Sequence, residues 1–315
     1  MKRNAIVRLC VWSIIALTLI GLMTAWIVND THIFQLGNIS LLPMQISNYR
    51  YKNADRYTAG NAEISERVES IDIDWIGGSV TILSYDGDTV RIREDGDIDD
   101  PDHQLHWFLE GGKLHVKYSA SKLFFSSPPT KDLTVEIPLG WACRLSSVEI
   151  EIVSASLDVR DIQAKELSVE GVSGNMDIQK VSASTLKLET VSGAVVAHDL
   201  NTSLIDIETV SGTVSLAGTI EGGSVETTSG AVTLNSDQRF DALDLEAVSG
   251  DITLICPLNS PSYSDAGYRV VFESVSGDIE TEIPFKKQGN NYTFGSGENV
   301  YGFDSVSGDL IVREP

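Results

Sequence analysis

The sequence predicts an all-β protein: a single-stranded β-solenoid (β-helix) of about 19-residue rungs, preceded by one transmembrane helix. Three observations carry this prediction. A Val-Ser-Gly tripeptide recurs at near-constant spacing, apolar side chains alternate with period two on either side of it, and an uncharged apolar run lies near the N-terminus.

The tripeptide, or a near variant, begins at Val153, Val172, Val191, Val210, Thr228, Val248, Val275 and Val306. The first five intervals are 19, 19, 19, 18 and 20 residues, and the last two lengthen to 27 and 31. Counted from its first residue, positions −5, −3, +4 and +6 are apolar in every copy except at Gly223 and Thr281. In the second copy they are Leu167, Val169, Met176 and Ile178. Such alternation reads as two short strands with one face inward. The Ser-Gly between them is turn chemistry, glycine taking positive φ without penalty. A unit this short cannot bury its own apolar face, so copies must stack and cover one another. Leucine-rich repeats have a similar length, but their fixed Leu and Asn pattern is missing. A sandwich or barrel leaves the constant spacing unexplained.

Ile71, Ile73, Val80 and Ile82 fit the same template, which sets the β-solenoid domain at 68–315, with regular rungs over 148–315. Between 83 and 147 the pattern degenerates, with a hairpin expected around Gly111-Gly112 and a loop at Pro128-Pro129. Residues 29–67 lack periodicity and read as a stalk or linker. Residues 9–28 carry no charge, and at about 1.5 Å per residue they span roughly 30 Å, the thickness of a bilayer core. The end of the run, Thr24-Ala25-Trp26-Ile27-Val28, lacks a small-x-small cleavage site, so a retained signal anchor is expected, with removal of the segment as the alternative. Lys2, Arg3 and Arg8 place residues 1–8 in the cytoplasm and the domain outside it, in a single-pass protein of the cell membrane. The lipid bilayer is then a partner through residues 9–28.

From Tyr51 to Pro315, with Ile71–Ile82 as its opening and Val-Ser-Gly-Asp/Asn/Ala rungs behind, the chain resembles the bacterial "putative adhesin" β-solenoids, a domain of unknown function, in a membrane-anchored form. The resemblance implies fold and surface location and supplies no catalytic residues.

The candidate site is a column at position −2: Glu151, Glu170, Glu189, Glu208, Glu226, Glu246, Glu273 and Asp304, with Asp74 in the early copy. Because −5 and −3 point inward, −4 and −2 should point outward, stacking these carboxylates about 4.8 Å apart. Two such charges repel by about 0.9 kcal/mol even in bulk water. Three readings are open: a solvated ladder that discourages lateral sheet aggregation, a divalent-cation site, and a surface for a basic partner. Lys187→Asp, at an outward position, should destabilise far less than Asp at an inward one such as Val169 or Ile207.

Other constellations carry less chemistry. The serine column, from Ser154 and Ser173 to Ser276 and Ser307, has no paired histidine and reads as hydroxyls satisfying backbone groups at the turns. Asp102, His103, His106 and His115 match no established metal spacing. Cys143 and Cys256 fall several rungs apart and are expected to be unpaired. The insertions Cys256–Gly267 and Pro284–Tyr301 read as caps on the final rung or as binding loops.

With 42% hydrophobic residues, 315 residues can bury a sizeable core, and a formal charge of −22 excludes the basic footprint of a nucleic-acid binder. The functional expectation is a non-catalytic surface binding, adhesion or envelope-scaffold module. It needs no cofactor beyond a candidate divalent cation, and its surface or envelope ligand and its oligomeric state stay open. The alternatives are a polysaccharide-acting β-helix enzyme, a self-assembling envelope filament built on an exposed C-terminal rung, and a regulatory sensor.

Overall fold

A computed structural model describes residues 49–96, 98–121, 129–257, 267–281 and 285–315. The expected cytoplasmic tail 1–8, the expected anchor 9–28 and the first part of the expected linker lie outside them. Among the described residues no helix is long and apolar enough to cross a membrane. The described part is mostly β, and its strands join one hydrogen-bonded system.

Register explains why the repeat is spaced as it is. Ser182–Thr190 pairs in parallel with Gln163–Gly171 on one side and with Asn201–Thr209 on the other. Leu186 therefore sits between Leu167 and Ile205, and Leu188 between Val169 and Ile207. After the turn, Met176–Gln179 pairs with Leu157–Arg160 and with Val195–His198 in the same way. The inward rows are closed to solvent: Val148, Leu167, Leu186, Ile205 and Ile207 each expose 0%. Burying such a side chain is worth about 1.5–3 kcal/mol, and each row does so only because the next rung covers it. Gly223 breaks the apolar pattern for a local reason. Its φ is +145°, and a Cβ there would lie 2.0 Å from the Ile205 carbonyl oxygen.

Stacking order follows chain order only from Leu145 to Ile255. At each end a rung is interposed out of sequence. Ser70–Tyr85 lies between Leu145–Arg160 and the later strands Lys113–Lys117 and Lys131–Pro138. Likewise Asn299–Ser305 and Leu310–Arg313 lie between the rung Ala242–Ile255 and the earlier strands Tyr268–Ser274 and Ile279–Thr281. The rung ending at Val312-Arg313 is therefore flanked on both sides, which corrects the expectation that it is exposed. The detour lets the chain fold antiparallel strands over the outermost rungs. His106–Glu110 and then Thr58–Ala59 cover Lys113–Lys117, while Val90–Asp95 and then Ala62–Ile64 cover Lys131–Pro138. At the other end Asn291–Phe294, backed by Lys286–Gln288, covers Tyr268–Val271. Antiparallel caps turn a bare parallel edge into a finished one.

The described part of the expected linker differs from a stalk. Residues 49–67 belong to the folded domain: Tyr49 is 2% exposed, Ile64 is buried, and Ala62–Ile64 pairs with Val90–Ile92. Tyr51 fastens the segment, its N–H donating to Ser121 Oγ at 3.1 Å and its hydroxyl to the Ser119 carbonyl at 3.0 Å. Without period-two alternation the segment gave no strand signal, because its contacts are aromatic and local to the cap.

Candidate functional site: a carboxylate ladder between two clefts

The predicted column assembles in parallel register. Asp74 faces Glu151, Glu151 faces Glu170, and the pairing continues through Glu189, Glu208, Glu226 and Glu246. The end inversion changes the last two steps. Glu246 faces Asp304, and Asp304 faces Glu273. Lys117 stands above Asp74 at the head.

The ladder is half-buried rather than fully solvated. Burial first, then the Asp74 and Glu170 charges, pushes the Glu151 carboxyl up to about 9. Burial, then Glu208 and Glu246, raises Glu226 to about 7. Glu170 and Glu208 are raised by burial and then by Glu189. Lys187 pairs with Glu189 in the middle of the ladder and partly offsets the rise at Glu170 and Glu208. Among the described residues no group of three His, Cys, Asp or Glu side chains converges as a metal cage does. The carboxylates run in a line, and a line offers a cation no enclosing shell.

At the head the ladder runs into a denser group. Lys117 pairs with Asp74 and lies 3.5 Å from Asp72, its own side chain only 10% exposed. Burial opposes its charge, but Asp74 and Asp72 outweigh that and hold the ammonium above its ordinary range. Asp72 accepts from His115 Nδ1 at 2.7 Å; burial opposes ionisation there, yet His115 and Lys117 together hold it at about 2. Lys113 bridges Asp72 and Glu149, at 3.8 and 2.8 Å. A cleft of about 240 Å³ opens here, walled by Tyr49, Tyr51, Tyr57 and Phe108. A second cleft of about 430 Å³ lies at the foot, where Phe272 and Tyr292 flank Glu273 and Asp304.

The serine column does structural work. Ser173 Oγ donates to the Val153 carbonyl at 3.2 Å, Ser211 to Val191 at 3.0 Å, and Ser307 to Val248 at 3.3 Å, each reaching one rung along. The glycine beside it is needed mainly for close approach. A Cβ on Gly230 would lie 2.1 Å from the Gly212 carbonyl oxygen, and one on Gly308 2.1 Å from that of Gly250. Positive φ, the reason read from the sequence, applies in this column to Gly174 and Gly193.

One column escaped the sequence reading, and a second, the Asp/Asn/Ala after the tripeptide, shows its role only in the structure. At −1, Thr190, Thr209, Thr227 and Ser305 are buried, and Thr227 Oγ1 donates to the Gly230 carbonyl at 2.8 Å. At +3, Asp251 accepts from the Asp309 N–H and Asp309 from the Asp278 N–H. The signal for the first is the Thr or Ser that recurs just before the tripeptide, at 190, 209, 227, 274 and 305.

The histidines do not come together. His103 contacts Asp100, His106 the Gln104 carbonyl, and His115 Asp72. Cys143 is free and exposed, Cys256 free and buried.

Comparison with solved structures gives matches of low sequence identity. A "putative adhesin" from Bacteroides fragilis NCTC 9343 shares 11% identity at a TM-score of 0.46, covering 82% of this chain and 97% of that one. A "putative lipid binding protein" from Parabacteroides distasonis ATCC 8503 shares 16% at 0.47, with the same coverage. A "putative cell adhesion protein" from Clostridium sporogenes ATCC 15579 shares 10% at 0.26, covering 82% and 100%. Among curated proteins none matches the chain. The family model described as Toastrack DUF4097 matches residues 68–313, and the chain belongs to that family.

Proposed function

We propose that this protein is a membrane-anchored, extracytoplasmic β-solenoid that acts as a non-catalytic surface binding or envelope-scaffold module, held by residues 9–28 and presenting its acidic ladder to a basic partner. The observation that carries the reading is the uniformity of the ladder. Each acid from Glu170 to Glu246 has acids of the same column as its strand neighbours. General acid–base or nucleophilic chemistry needs unlike groups converging on one point. A long single-sign face instead steers and registers an oppositely charged surface.

The test uses the full chain in detergent micelles and a lysine-rich peptide as probe. Binding should be salt-sensitive and at least tenfold weaker when Glu189, Glu208 and Glu226 are replaced by Gln. Equal binding by that variant removes the ladder as the interaction face, and depolymerisation of a polysaccharide by the wild type removes the non-catalytic reading. Protease added to intact cells should shave a C-terminal tag and spare an N-terminal one; the reverse pattern sinks the topology.

A further inference from the structure

The two ends of the stack are finished to different degrees, and the foot keeps an open strand edge. At the head, the second strand of the outermost rung, Lys131–Pro138, is covered by Val90–Asp95 in antiparallel register, with Ile92 on Val135 and Arg93 on Thr134. That cover alternates by face. Val90 and Ile92 are buried, while Arg91 and Arg93 reach Glu136 at 3.9 and 3.5 Å. The equivalent strand at the foot is Ile279–Thr281, which pairs with Leu310–Val312 on one side. Among the described residues no strand runs along its other side. The Leu310 N–H donates to the Asp278 carbonyl, and successive residues of a parallel strand turn their main-chain groups to opposite sides, so Ile279 presents its N–H and carbonyl to the open edge. The inward rows show the same deficit. Leu310 and Phe303 are closed to solvent, but their outer neighbours Ile279 and Phe272 are only partly buried. Two clefts share Ile279 in their walls, one of about 430 Å³ with Phe272 and Tyr292, the other of about 390 Å³ with Ile311 and Arg313.

We infer that the foot edge at Ile279 takes up an extended segment of a partner protein in which apolar residues alternate with arginine or lysine, added as a further strand. Main-chain hydrogen bonds to Ile279 supply the register, and an apolar side chain fills the cleft beside Phe272. A basic side chain on the outer face meets Glu280, which is exposed there. The head shows the pattern that closes such a strand, Val90 and Ile92 inward with Arg91 and Arg93 on a glutamate of the covered strand. Among the described residues no ion pair engages Glu280, and Lys287 lies over the Tyr292 ring at 4.8 Å. A second copy of this chain fits less well, because pairing two foot edges brings Glu280 against Glu280, and like charges on an edge work against self-pairing.

This surface is separate from the ladder, so either can fail alone. The probe is the fluorescently labelled peptide acetyl-Thr-Val-Arg-Ile-Arg-amide, the sequence of residues 89–93, titrated by anisotropy against the full chain in detergent. Two control peptides carry proline in place of the isoleucine, which removes a main-chain donor, or glutamate in place of both arginines. Saturable binding of the first peptide, lost with proline and with glutamate, supports the strand edge. Glu280→Lys, at an exposed position that leaves the core intact, should weaken the arginine peptide by about tenfold or more and restore binding of the glutamate peptide. Replacing Glu189, Glu208 and Glu226 by Gln should leave the affinity unchanged. No saturable binding up to ~1 mM overturns the inference. Equal binding of the proline peptide overturns strand addition, and binding that follows the ladder variant instead of Glu280→Lys overturns the location. A wild-type dimer that Glu280→Lys dissociates would make a second copy the occupant and overturn the partner named here.

Discussion

Glu151 shows what a series of like charges does to one member of the series. Its carboxyl is pushed up to about 9 from an ordinary 4.5, and that of Glu226 to about 7. Both folded-state values lie above the unfolded ones, so the native state holds more protons between about pH 4.5 and 9 and stability falls as pH rises through that window. The groups facing them are Asp72, Asp74, Glu170 and Lys117 at Glu151, and Glu208, Glu246, Asp206 and Asp244 at Glu226. The melting temperature of the full chain should rise on going from pH 9 to pH 5.5, and the double replacement Glu151→Gln, Glu226→Gln should flatten the slope. A melting temperature that falls on acidification contradicts the half-buried ladder. Lys187 belongs to the same argument. As an outward residue it should matter far less than an inward one, but its reversal still has a cost, because it pairs with Glu189 and offsets Glu170 and Glu208. Lys187→Asp should therefore destabilise by about 1 kcal/mol or more near neutral pH, and less at pH 5. Val169→Asp buries an unpaired charge at a position 0% exposed and should cost about 4 kcal/mol or more at either pH. Urea midpoints of the two variants at both pH values check the distinction.

The rung, as an element, depends on the closeness of its turn to the next one. Serine hydroxyl and serine N–H both reach the carbonyl of the neighbouring turn, as at Ser173 on Val153. The glycine lets the backbones meet at that distance. Gly230→Ala should cost about 2–3 kcal/mol because the clash is with backbone, which cannot rotate away. Ser211→Ala removes one exposed hydroxyl bond and should cost about 1 kcal/mol or less. Chemical denaturation of the pair separates close packing from hydrogen bonding. The caps are elements of a different kind, antiparallel and local. Thr293→Pro would disrupt Asn291–Phe294, which pairs with Tyr268–Val271. With the foot edge uncovered, the variant should form higher oligomers on size exclusion while the wild type does not; identical elution would show that the hairpin is dispensable as a cap.

At the scale of the whole molecule, the two interposed rungs make the stack finite. The head rung is covered along both its strands and the foot rung along Tyr268–Val271, which counts against assembly into a filament through the C-terminal rung. The ladder crosses most of this stack in a straight line, and a line of carboxylates responds to ionic strength more than to a particular ion. Thermal unfolding of the full chain in calcium chloride should match that in sodium chloride at equal ionic strength. A saturable calcium increment beyond it would restore the divalent-cation reading of Glu170, Glu189, Glu208 and Glu226.

How much of this was legible in the sequence depended on periodicity. The inward rows, the acidic column and the serine column repeat with the rung, so Leu186, Glu189 and Ser192 could be placed by counting from Val191. Parallel stacking puts identical positions of successive rungs together, and that converts a linear period into a spatial contact. What does not repeat could not be counted. Tyr49, Tyr51 and Phe108 come from a segment without period and from a hairpin, and only packing at the end of the stack joins them to Asp74 and Glu151. The order of the outermost rungs was hidden for the same reason. Every rung presents nearly the same edge, so the sequence leaves open which rung pairs with which, and the choice is made by whichever arrangement lets the intervening chain cover the end.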